Sequence, residues 1–124
     1  MYAMMLSGLQ KFLAQRMYIR WCGVAYRSPE TVCSHRRTLT AAADIWSLAA
    51  TILHVFAGAA PFSGVSVVRI IASLNAHEKP SIPDVLPIRL QILLSMCFQF
   101  MPADRPDIAE TLRRLQVTHT YATP

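Results

Sequence analysis

The chain has 124 residues, enough for one domain, with 53% apolar residues, 15% charged residues and a formal net charge of +5. Ordinary domains hold about 45–50% apolar and about 25% charged residues, so this balance excludes a disordered, heavily solvated chain and matches a piece of a larger core. The cysteines Cys22, Cys33 and Cys97 form no C-x-x-C pair and no His/Cys ligand cluster, which argues against a disulfide framework or a zinc site and predicts reduced thiols in an intracellular, cytoplasmic setting.

The positive charge is local. Residues 1–40 carry Lys11, Arg16, Arg20, Arg27, Arg36 and Arg37 against Glu30 alone, whereas residues 41–124 hold equal numbers of acids and bases. A basic segment suits a solvated loop or an acidic or phosphate-bearing partner. No nucleic-acid motif accompanies it, so no nucleic-acid partner is expected. The opening MYAMMLSGLQK has no basic stretch ahead of its apolar residues, so no secretory leader is expected.

In chain order, residues 2–6 are short and apolar enough for a strand, and 9–27 mix bases and aromatics without a period, as a loop would. Pro29 in SPETV suits the first turn of a short helix. A long helix is predicted from near Thr40 to Gly58, with Pro61 beyond it as a stop. Its polar residues Asp44, Ser47, Thr51 and His54 fall on one narrow seam, and the rest of its circumference is apolar. Such a helix must be central or membrane-embedded. The stretch from Asp44 to Ala57 spans about 21 Å, short of the roughly 30 Å hydrocarbon core, so a membrane setting is the weaker alternative. Residues 65–76 and 88–100 have helical character, separated by the proline-rich KPSIPDVLP. Asp107 and Glu110 form a D-x-x-E capping box for a last helix, with Arg113 and Arg114 toward its C-terminal end. A frayed tail is predicted from Val117.

Several of these stretches together resemble the C-terminal lobe of a eukaryotic-type serine/threonine protein kinase. YRSPE, with Tyr26, Ser28, Pro29 and Glu30, is similar to the A-P-E motif that ends the activation segment. ADIWSLAATILHVFAGAAPF resembles the central helix and its Gly-x-x-Pro-Phe turn, and LLSMCFQFMPADRP resembles the penultimate helix with its D-P-x-x-R-P ending. Their shared order covers residues 6 to 116. The implied fold is mainly α: a kinase-like C-terminal lobe fragment, with an activation-segment remnant and the last helices around the central apolar helix. Residues 1–116 would form this partial domain and 117–124 a tail.

The resemblance assigns roles to four residues. Asp44 would cap the central helix and accept backbone N–H bonds from the catalytic loop, with Trp46 beside it in the core. Glu30 and Arg105 would form a buried ion pair clamping the activation segment to the lobe. The same comparison shows departures. LSGLQKFL is similar to the D-F-G start of the activation segment, but Leu6 stands where the metal-binding aspartate belongs, Ser7 replaces the phenylalanine, and Gly8 alone is retained. Leucine has no lone pair for Mg²⁺. The Gly-Thr before Y-x-A-P-E reads Cys22-Gly23, and Ala49 follows D-x-W-S-L in place of glycine. Between Leu9 and Arg27 the only hydroxyls are Tyr18 and Tyr26, so the usual serine/threonine phosphorylation switch has no acceptor. The catalytic loop, the glycine-rich loop and the nucleotide-binding lysine of the family are not found in this chain.

The expectation is therefore a pseudokinase-like or truncated lobe without phosphotransfer of its own. It would bind neither ATP nor Mg²⁺, the family's cofactors, and no catalytic or metal-ligating residue is assigned. It would act as a binding or regulatory module for a kinase, substrate or regulator, through the helix at 65–76 and the basic segment 11–37. The alternatives are the C-terminal part of a serine/threonine kinase whose N-terminal half lies outside this chain, a small membrane-associated protein, and a coding remnant without function.

Overall fold

The computed structural model describes residues 23–33 and 40–122, and among these there are helices and turns but no strand. A 3₁₀ turn, Val24–Tyr26, leads into the short helix α1, Pro29–Cys33. The long helix α2 follows at Ala41–Ala57, then α3 at Val67–Asn75 and α4 at Ile88–Cys97. A second 3₁₀ turn, Pro102–Asp104, precedes α5 at Ile108–Ala122. The expectations for residues 2–22, including Leu6, Ser7, Gly8 and Tyr18, and for Arg36 and Arg37 lie outside the described residues.

Helix α2 is central, as its apolar circumference requires. It packs against α4, the Val24–Tyr26 turn and the Pro102–Asp104 turn. Ile45, Trp46, Ala49, Ala50 and Leu53 are buried on it and join Leu90, Leu93, Leu94, Cys97 and Phe98 from the α4 region in one core. Helix α5 backs α4, and α3 packs against α1 and the first 3₁₀ turn. The alanines on α2 let these elements approach closely, while Trp46 fills the centre.

Local chemistry sets the ends. The Thr40 hydroxyl accepts the Ala43 N–H at 3.1 Å, capping α2. Gly58 takes φ +76° and donates its N–H to the His54 carbonyl at 2.9 Å, the left-handed stop that glycine adopts without steric cost. Ser66 caps α3 through the Arg69 N–H. Two ends differ from the sequence expectation. Helix α4 stops at Cys97 rather than near 100, because Phe98 and Phe100 leave the helix to pack edge-on against Trp46, at ring-centroid distances of 4.9 and 5.7 Å. Helix α5 continues past Val117 to Ala122.

The last turn of α2 has little cover: Val55 is 72% and Phe56 57% exposed. No helix among the described residues is long and apolar enough to cross a membrane.

Candidate functional site

The turn and helix holding Tyr26, Ser28, Pro29 and Glu30 are fastened to α2. Two contacts hold them there, and a third orders the segment itself. Arg105 donates from Nη1 and Nη2 to the two Glu30 carboxylate oxygens at 2.6 and 2.8 Å. The Arg105 side chain is fully buried and Glu30 is 26% exposed. The same guanidinium donates to the carbonyls of Ala42 at 2.9 Å and Gln99 at 2.8 Å, and lies 5.2 Å from the Trp46 ring centroid. One cation thus joins α1, the start of α2 and the loop after α4.

The polar seam of α2 makes the second contact. Ser47 donates its hydroxyl to the Tyr26 carbonyl at 2.8 Å, and the Tyr26 hydroxyl is hydrogen-bonded to His54 Nδ1 at 2.6 Å. Thr51 turns its hydroxyl back to the Ser47 carbonyl at 2.9 Å. The seam therefore receives the segment ending in Glu30. The third contact is internal to that segment: Ser28 is buried, with its Oγ 3.1 Å from Thr31 Oγ1, and the Thr31 hydroxyl donates to the Ser28 carbonyl at 2.8 Å. Pro29 is buried at the first position of α1.

Electrostatics follow the geometry. Burial works to raise the Glu30 carboxyl, but the Arg105 bonds, a backbone bond and the Ser28 hydroxyl outweigh it, and its pKa is lowered. Asp44 is raised by partial burial. It sits in the first turn of α2, but the side-chain cap is Thr40, one turn earlier, which corrects the expectation that Asp44 caps the helix. The D-x-x-E box is also only half formed. Asp107 accepts the Glu110 N–H at 2.8 Å, whereas the Glu110 carboxylate is taken by Arg113 and Arg114. Neither described cysteine is an activated nucleophile: burial raises Cys33 and pushes Cys97 to about 11, despite the Thr111 bond and Arg105 nearby. Trp46 is fully buried, and its indole N–H has no hydrogen-bond partner among the described residues.

Sequence reasoning did not anticipate the Ser47–Tyr26 and Tyr26–His54 bonds or the carbonyl contacts of Arg105. The seam spacing on α2 was the one signal available, and it names a face without naming what covers it.

The pattern of the protein tyrosine and serine/threonine kinase family matches residues 7–115. The chain belongs to the protein kinase family. A serine/threonine-protein kinase of Saccharomyces cerevisiae is 36% identical over 94 residues, covering 72% of this chain and 6% of that protein. Mitogen-activated protein kinase kinase kinase 1 of Arabidopsis thaliana is 33% identical over 70 residues, covering 56% of this chain and 12% of that protein. Protein kinase wis1 of Schizosaccharomyces pombe is 37% identical over 76 residues, covering 59% of this chain and 13% of that protein. The chain thus spans a small part of the length of these relatives. The helical fold is that of a kinase C-terminal lobe fragment, and kinase-lobe residues Glu30, Trp46 and Arg105 meet in one place.

Proposed function

We propose that this kinase-family lobe transfers no phosphate by itself and acts as a binding or regulatory module for a protein partner. The observation that carries the reading is the substitution at Leu6, where an aliphatic side chain stands in the metal-ligand position of the D-F-G-like stretch. One feature supports it: the carboxylates of Glu30 and Glu110 are taken up by arginines, so they position structure rather than a cation. The leucine at position 6 offers no oxygen to the Mg²⁺ of Mg-ATP.

What the chain retains is geometric: a clamped activation-segment end and the helix α3 beside it. Val68 on α3 is 75% exposed, and this helix packs against α1 and the Val24–Tyr26 turn. A protein docking there would also feel the segment held by Arg105. The partner class is a kinase, a kinase substrate or a regulator, in an intracellular setting. The test is phosphate transfer from labelled Mg-ATP to a serine/threonine peptide library with the purified chain. No incorporation above a heat-treated control is expected, and turnover would overturn the reading.

A second reading is favoured by the relatives, each of which is several times longer than the match. Here the chain is the C-terminal part of a serine/threonine kinase whose nucleotide-binding half lies elsewhere in a longer protein. It predicts an in-frame upstream coding sequence with an H-R-D-like loop and a V-A-I-K-like lysine. An open frame with neither rules it out.

A further inference from the structure

Helix α3 ends in a turn that carries a strained residue. The Glu78 N–H donates to the Ser73 carbonyl at 2.9 Å and the His77 N–H to the Leu74 carbonyl at 3.1 Å, the pair of bonds by which a chain leaves a helix through a left-handed residue. That residue is His77, at φ +61°. Gly58 takes the same backbone at the end of α2 with no side chain to clash. A residue with a side chain is uncommon at such a φ and persists there where other contacts hold it.

The contact that holds His77 is aromatic. His77 is an exposed residue, yet its ring stacks on half-buried Phe100, with centroids 5.0 Å apart and planes 19° apart. Phe100 stands edge-on to Trp46 at 5.7 Å, and its carbonyl accepts from Arg105 Nη2 at 3.4 Å, beside the Gln99 carbonyl that accepts from Nε at 2.8 Å. The loop that His77 covers is thus the seat of the Arg105 guanidinium. Helix α3 also reaches the other partner of that cation, because it packs against α1, which carries Glu30. The Glu30–Arg105 pair therefore lies between two attachments of one helix: along its side to α1, and at its end through His77.

We propose that His77 is a latch: its ring on Phe100 ties the C-terminal end of α3 to the seat of Arg105, and a protein that docks on α3 and lifts that end loosens the segment holding Glu30. The left-handed backbone at His77 opposes the stack and brings the latched and released forms closer in energy, so a partner with a modest preference for the released form shifts the balance. The latch depends on the reading of α3 as the docking helix and adds how docking there reaches α1. His77 acts through Phe100 and is a positioning residue.

Amide hydrogen exchange of the full chain, resolved by nuclear magnetic resonance, tests the latch in two variants. His77→Asn removes the ring but tolerates the left-handed backbone. His77→Phe keeps a ring, at a backbone that Phe62 already adopts with φ +56°. The reporters are the Arg105 N–H, bonded to the Pro102 carbonyl, and the Thr31 and Val32 N–H groups, bonded to the Ser28 carbonyl. In His77→Asn these three amides should exchange at least about threefold faster, while the Glu78 amide stays within about twofold of its native rate. His77→Phe should restore the native rates. A double-mutant cycle with Phe100→Leu remains readable even if that change weakens the whole lobe: His77→Asn should add little to Phe100→Leu alone. Unchanged rates at the three reporters, with any change confined to residues 74–78, would make His77 an ordinary helix stop and overturn the proposal. Equal acceleration throughout α4, a His77→Phe variant as fast as His77→Asn, or additivity in the cycle would overturn it equally. Phosphate transfer does not depend on these rates, so failure of the latch and failure of the binding-module reading are told apart.

Discussion

Arg105 meets Glu30 through two parallel hydrogen bonds, at 2.6 and 2.8 Å, across 75 residues of sequence. Two carbonyls, Ala42 and Gln99, occupy donors of the same guanidinium, so it is held whether or not Glu30 is present. Removing the acid leaves a buried cation with only neutral acceptors. Removing the arginine strips the acid of its cation and takes a donor from the carbonyls of Ala42, Gln99 and Phe100. Arg105→Ala should therefore cost more than Glu30→Ala, by the logic that breaking a buried pair costs about 3–5 kcal/mol. Urea midpoints measure the order. Hydrogen exchange should speed up across residues 26–33 in Glu30→Ala, and unchanged protection there would contradict the clamp.

Acid should loosen the same contact. Glu30 has a lowered pKa in the fold, so its contribution is present above the ordinary carboxylate value of 4.5 and is lost as pH falls through the folded value. Asp44 is shifted the other way, from 3.8 upward. Its protonated form favours the fold, and its contribution works against stability once pH rises past the folded value. Melting temperature followed from neutral pH to about pH 3 should fall in the native chain. Glu30→Gln should flatten that slope, and Asp44→Asn should steepen it.

The seam on α2 predicts a smaller effect. Ser47 donates to the Tyr26 carbonyl at 2.8 Å in a half-buried site. Ser47→Ala should cost about 1 kcal/mol, with faster exchange at the amides next to Tyr26. Exchange on α4 should remain unchanged, and a uniform change would mean that the bond serves the whole core rather than this segment.

Among the described residues Trp46 is the largest fully buried side chain. Trp46→Ala should destabilise by about 3–5 kcal/mol, which is enough to unfold a marginal lobe. Trp46→Phe should cost much less, because it keeps an aromatic ring against Phe98 and Phe100 and removes an indole N–H that has no partner among the described residues. Denaturation midpoints of the two variants check the difference.

Much of the fold could be read from local chemistry. Thr40, Gly58 and Pro61 mark α2 from both sides, and Asp107 marks the start of α5. Where a local rule failed, a distant contact had prevailed. Phe98 reads as one more helical residue, but the Trp46 ring draws it out of the helix. Glu110 reads as a capping partner, but two arginines one turn on compete for it. The Glu30–Arg105 pair followed from resemblance to a family and not from spacing, since no local periodicity connects residues so far apart. The Tyr26–His54 bond had no such guide. The polar seam marked a face of α2, and only the fold could say that Tyr26 covers it.

The central claim is that this lobe keeps the kinase scaffold without its nucleotide chemistry, and calorimetric titration of the full chain with Mg-ATP tests it most directly. The account predicts no saturable heat up to about 1 mM nucleotide. A stoichiometric isotherm with a micromolar Kd, abolished by EDTA, would contradict it.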